Sequence, residues 1–159
     1  MKIFLGVDPG ASGAIAVLDE DGVLLEIFDM PVVELKIGKA IKRRVSPELL
    51  AHVVSPYAGS VACLEKVSAM PNQGVSSMFA FGESYGIVRG VLATLQISTT
   101  LVTPAAWKGA MGLNAGKDGS RVKAMQLWPD RVAYFKRVKD DGRAEACLIA
   151  EFGRLKNLW

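Results

Sequence analysis

The chain has 159 residues and a mass of 17.0 kDa, enough for one well-filled core and too short for a two-lobed kinase. Half of its residues are hydrophobic and 22% are charged, with a mean hydropathy of +0.26, which excludes intrinsic disorder. A net charge of +3 is only mildly basic, so attraction for a polyanion has to come from where the cations lie.

The opening third reads as strands over Lys2 to Asp8, Ala14 to Leu18 and Val23 to Asp29, with Asp19-Glu20-Asp21-Gly22 as hairpin chemistry between the last two. Lys36, Lys39, Lys42, Arg43 and Arg44 then crowd one short segment, with no element assigned to it. Ser46-Pro47-Glu48 places an N-cap, a first-turn proline and an acid in order, which predicts a helix to about Tyr57. Val61 to Val67 is an apolar run with one acid inside it, suited to a buried central strand. A loop through Met70 to Gly74 leads into a long helix over Val75 to Leu95, followed by a strand near Thr99 to Val102 and a short helix opened by Pro104. Helices near Ser120 to Leu127 and Asp141 to Leu155 complete the chain. Hairpinned strands followed by strand-helix alternation predict a single α/β domain over residues 1–159, with a mixed five-stranded sheet flanked by helices.

Inside the long helix Gly82, Gly86 and Gly90 recur every four residues, and each glycine costs about 1 kcal/mol relative to alanine in a helix. Close approach to the sheet or to a second subunit would offset that cost. The apolar stretch Val75 to Val102 is broken by Glu83 and Arg89, so no membrane span is expected. Cys63 and Cys147 lack metal-binding or disulfide spacing, and no signal-peptide pattern opens the chain. Both features suit a reducing cytoplasm.

Chemistry is carried by acids. Asp8 ends the first strand before Pro9-Gly10, where it is either a turn former or a carboxylate held at the sheet rim. Glu65 shares a strand face with Val61, Cys63 and Val67, and its neighbour Lys66 points to the other face, so a buried charge there needs a partner. Asp141 and Glu145 fall on the helix stripe with Leu148, Phe152 and Leu155, the stripe expected to pack inward, and Asp140 falls on the adjoining stripe with Ala144, Cys147 and Glu151. Four carboxylates from three segments repel one another unless a cation sits between them, and hard oxygen donors in that number suit two Mg²⁺ or Mn²⁺ ions. Two such ions serve phosphodiester hydrolysis. That chemistry joins the acids to the basic residues around them, the first cluster together with Lys117, Arg121, Lys123, Arg131, Lys136, Arg137, Lys139 and Arg143. The one histidine, His52, lies in an amphipathic helix, and no Ser-His-Asp chain competes.

The segments Ile3 to Gly10 with Gly13 and Ala14, Cys63-Leu64-Glu65-Lys66-Val67, Phe79 to Gly90, Pro104-Ala105-Ala106-Trp107-Lys108 and Asp141-Gly142-Arg143-Ala144-Glu145-Ala146 resemble, in order and over nearly the whole chain, the RuvC-type Holliday-junction resolvases, bacteriophage-like members in particular. The resemblance implies a ribonuclease H-like fold, a homodimer, two divalent metals and paired nicks in four-way DNA junctions. By it Asp8, Glu65, Asp141 and Glu145 are metal ligands and catalytic residues, and Lys108 or Lys117 is a cation beside the scissile phosphate. Lys36, Lys39, Lys42, Arg43, Arg44, Arg121, Lys123 and Arg143 are the expected DNA contacts, and Gly82, Gly86 and Gly90 the expected dimer surface. The sequence departs from bacterial members in three ways: Glu145 stands for an Asp, Asp141 precedes it by four residues instead of three with Asp140 as an alternative, and Ser68, Ala69 and Met70 replace a wedge-forming aromatic. Two other readings remain open: Asp8 to Gly13 also resembles the phosphate loop of actin-like ATPases and sugar kinases, and the chain could be a catalytically silent DNA-binding protein of the same fold.

Overall fold

The computed structural model describes residues 1–113 and 118–158. Strands β1 (Phe4–Asp8), β2 (Ala14–Leu18) and β3 (Leu24–Asp29) form an antiparallel meander, as their alternation and turns predict. Gly10, at φ +111°, takes the β1–β2 turn where a side chain would be strained, and Gly13 N–H closes it onto the Gly10 carbonyl at 3.1 Å. In the next turn the Asp19 carboxylate accepts from Asp21 N–H and Val23 N–H.

Helix α1 (Pro47–Val54) begins at Ser46, whose hydroxyl accepts from Leu49 N–H. It stops at Val54, three residues short of the expected end, where Ser55–Tyr57 tighten into a 3-10 turn around Pro56. Strand β6 (Val61–Glu65), helix α2 (Val75–Thr94), strand β7 (Ser98–Val102) and helix α3 (Pro104–Ala110) follow. Helices α4 (Gly119–Leu127) and α5 (Asp141–Lys156) close the chain, separated by 3-10 segments over Pro129–Phe135 and Val138–Asp140. The sheet order is β3-β2-β1-β6-β7, with β1, β6 and β7 parallel, so the expected mixed five-stranded sheet is what the chain forms.

The segment left without an element is a two-stranded ribbon, β4 (Val32–Ile37) paired with β5 (Ala40–Val45) around Gly38 at φ +63°. Val33, Leu35 and Ile37 lie opposite Arg44, Lys42 and Ala40, so apolar alternation runs along β4 only and the density of cations hides it on β5. Lys36, Lys39, Lys42 and Arg43 are exposed along this ribbon.

Two cores sandwich the sheet. Leu5, Val7, Ile15, Val17 and Leu64 pack under α1 and α2, and Phe4, Ala14, Ala16, Leu18 and Cys63 pack under α5. Helix α5 lies so close that a Cβ on Gly6 would run into the Ala146 carbonyl and Ala150, and one on Gly153 into Cys63 Sγ. The glycines of α2 do the opposite. A Cβ built on Gly82, Gly86 or Gly90 meets nothing within 4 Å, so close approach to the sheet is not what they serve. Among the described residues no helix is long and apolar enough to cross a membrane.

Candidate active site

Three acids meet at the end of the sheet where β1 and β6 stop. The parallel register sets Gly6 beside Cys63 and Val7 beside Leu64, and its next step carries Asp8 alongside Glu65. Both acids follow the face-alternation of their strands onto the side covered by α5. Because Gly6 lets α5 rest on β1, the first turns of that helix bring Glu145 over the same rim. Gly142 completes the fit: a Cβ there would stand 2.5 Å from the Ser12 carbonyl oxygen and 3.3 Å from Asp8 Oδ2.

The electrostatics report the crowding. Burial, then the charges of Glu145 and Glu65, hold the Asp8 carboxyl well above its ordinary range, with Lys108 opposing them. Burial also raises Glu65, countered by a hydrogen bond from Trp107 and reinforced by Glu145. Trp107 is fully buried, and its Nε1–H donates to Glu65 Oε2 at 2.6 Å. Lys108, next in α3, places Nζ 3.3 Å from Glu145 Oε1. Thus α3 holds two of the three acids, one by a hydrogen bond and one by an ion pair.

In the sequence Trp107 stands only as one residue of the Pro104 to Lys108 motif, with no role assigned to it. The signal was present, since a buried indole N–H needs an acceptor and α3 begins two residues after β7, the strand beside Glu65.

The other expected site residues fall elsewhere. Asp141 is partly exposed and accepts from Arg121 Nε at 2.8 Å; it is not among the charges acting on Asp8. Asp140, expected on the less packed stripe, is 1% exposed and is gripped by Arg137 through its guanidinium and its backbone N–H. The reason is that α5 is enclosed on several sides, so Ala144, Cys147 and Glu151 of that stripe are all buried. Arg121, expected at a phosphate, is itself 8% exposed and already holds Asp118, Asp141 and the Lys136 carbonyl, so its place is internal. Arg143 is clamped on Asp29 by two bonds of 2.7 and 2.8 Å. Arg44 lies 3.7 Å from Glu83, and Lys123 is half-buried. Lys117 lies outside the described residues. Both thiols are free and buried; burial pushes Cys63 up to about 11 and raises Cys147 as well, so neither is a nucleophile at neutral pH.

Among the described residues no three Asp, Glu, His or Cys side chains converge into a ready metal cage. The donor set nevertheless fits a hard divalent cation in kind: Asp8, Glu65 and Glu145 offer only carboxylate oxygens, and their mutual repulsion is what a cation between them relieves.

By sequence the chain matches no family model and no curated protein. By structure it is similar to Thermus thermophilus RuvC in complex with Holliday junction substrate, at a TM-score of 0.63 and 12% identity over 98% of this chain and 96% of that one. It is also similar to the yeast mitochondrial Holliday junction resolvase Ydc2, at 0.54 and 16% over 97% and 80%. The fowlpox virus Holliday junction resolvase matches at 0.50 and 17% over 99% of each chain. Meander, parallel strands and covering helices together give this chain the ribonuclease H-like fold of the RuvC-type resolvases.

Proposed function

We propose that the chain is a structure-selective DNA endonuclease that resolves four-way or related branched junctions by metal-dependent phosphodiester hydrolysis. The observation that carries this reading is the placement of Asp8, Glu65 and Glu145 at one sheet edge, near enough that their charges act on one another, beside Lys108 in a resolvase fold. Asp8, Glu65 and Glu145, with Asp141 as a fourth if its Arg121 pairing opens, would hold two Mg²⁺ or Mn²⁺ ions. Such ions supply Lewis-acid stabilisation of the attacking and leaving oxygens. The protein contributes the rest. Trp107 fixes the rotamer of Glu65, and Lys108 orients Glu145 and would offer a cation to the phosphate. The exposed lysines of the β4–β5 ribbon attract the DNA backbone without reading its bases.

A homodimer is part of the proposal, because paired nicks need two sites. Val75 and Phe79 are 84% and 76% exposed and lie in line with Gly82 and Gly86, an apolar stripe open for a second copy.

The test is nicking of a four-way junction against linear duplex, flap and single strand, with and without Mg²⁺. Selective, metal-dependent nicking is expected, and it should vanish in Glu65→Gln and Glu145→Gln while junction binding survives. Parental nicking rates in both folded variants would make these acids structural and end the reading.

A further inference from the structure

Behind the β1–β2 turn lies a cavity of about 340 Å³ lined by Ala11, Ser12, Gly13, Asp29, Arg43, Arg137, Lys139 and Asp140. Its two acids are already matched. Asp29 is clamped by Arg143, and Asp140 accepts from Arg137 Nε at 3.1 Å, from Nη2 at 2.8 Å and from its backbone N–H at 2.9 Å. That grip fixes the plane of the Arg137 guanidinium while its side chain stays 53% exposed, leaving Nη1 without a partner among the described residues. Arg43 reaches across from the ribbon and donates to the Ala11 carbonyl at 3.0 Å, and Lys139 is exposed and forms no ion pair among the described residues. The lining therefore carries an uncompensated positive charge around a preorganised, planar donor, which is the chemistry that takes a phosphate.

We propose that this cavity is a phosphate subsite for the bound nucleic-acid strand, with Arg43, Arg137 and Lys139 as its cations and Asp140 as the positioning residue that aims Arg137. The inference rests on the nuclease reading above. Its place in the sheet says which phosphate. Asp8 lies opposite Ala14, and Ala14 opposite Asp29, so the cavity is two strand spacings, about 10 Å, from Asp8 along one sheet edge. A strand cut at Asp8 and running along that edge lays a phosphate within about two nucleotides of the cut over the cavity. Asp140 thereby serves substrate binding and is no alternative to Asp141 as a metal ligand.

The experiment measures four-way-junction affinity against salt with metals chelated, for the full chain and for Arg43→Ala, Lys139→Ala and Asp140→Asn, with Lys156→Ala as a charge control at the far end of α5. Arg43→Ala and Lys139→Ala should each weaken binding several-fold and reduce the log–log salt slope by about 0.9, while Lys156→Ala keeps the parental slope. In cleavage assays Asp140→Asn should raise KM more than it lowers kcat. If folded Arg43→Ala and Lys139→Ala keep the parental affinity and slope, the subsite is refuted and the nuclease reading stands. If Asp140→Asn loses kcat with binding intact, Asp140 belongs to the metal centre. A parent that neither binds nor nicks the junction overturns both proposals.

Discussion

At the rim, burial and the charges of two neighbouring acids all act on Asp8, which makes its titration a property of the whole protein. Its folded pKa is raised, first by burial and then by Glu145 and Glu65, so the folded state holds that proton more tightly than the unfolded chain does. Stability from this group is therefore present below the ordinary carboxylate range and lost as pH climbs through the raised value. Asp8→Asn removes the effect, so with metals chelated its advantage over the parent should be small at pH 3, grow through the window above 4 and level off. Thermal melts across pH check this, and an advantage that shrinks with rising pH would contradict it. Trp107 is the second residue to probe. Trp107→Phe keeps an aromatic filler but removes the N–H that holds Glu65, so the protein should stay folded while metal affinity falls roughly 10- to 100-fold. Titration of Mn²⁺ by calorimetry measures it, and an unchanged affinity would leave Trp107 a packing residue only.

At the scale of elements, the site depends on how closely α5 approaches the sheet. Gly6 is the point of contact, with backbone atoms of Ala146 and Ala150 where a side chain would begin. Backbone cannot swing aside like a side chain, so Gly6→Ala must push the helix off β1. A loss of about 1–3 kcal/mol or more in urea melts is expected, together with loss of nicking, because Glu145 rides on the displaced helix. A variant as stable as the parent would mean that the contact has slack. Helix α3 is the complementary element, since its Trp107 and Lys108 reach neighbouring acids from one turn.

For the molecule as a whole, the exposed stripe on α2 and the proposed double cut lead to one expectation. The chain should sediment as a dimer at tens of micromolar, and Gly86→Leu, at a position where a Cβ meets nothing within 4 Å, should dissociate it without lowering monomer stability. Analytical ultracentrifugation with and without junction DNA decides this. A parent that stays monomeric in both conditions removes the dimer from the proposal while leaving the active site untouched.

Local rules made much of this protein legible. Period-2 alternation and turn residues placed the meander and set Asp8 at a strand end; the same alternation put Glu65 on the face of Cys63, and both positions depend on neighbours a few residues away. The β4–β5 ribbon was hidden because the signal for its pairing is shared between two strands, one of them too cationic to show a pattern. The burial of Asp140 was misjudged for a different reason. A helix stripe says which residues share a face, but only packing says how many faces are covered, and α5 is enclosed on several. What binds each charge was likewise a tertiary decision: Trp107 lies 42 residues from Glu65, Arg121 lies 20 from Asp141 and Arg143 lies 114 from Asp29. Those pairings carry no local signal, because the energy that selects them comes from desolvated groups finding partners only after the chain has closed.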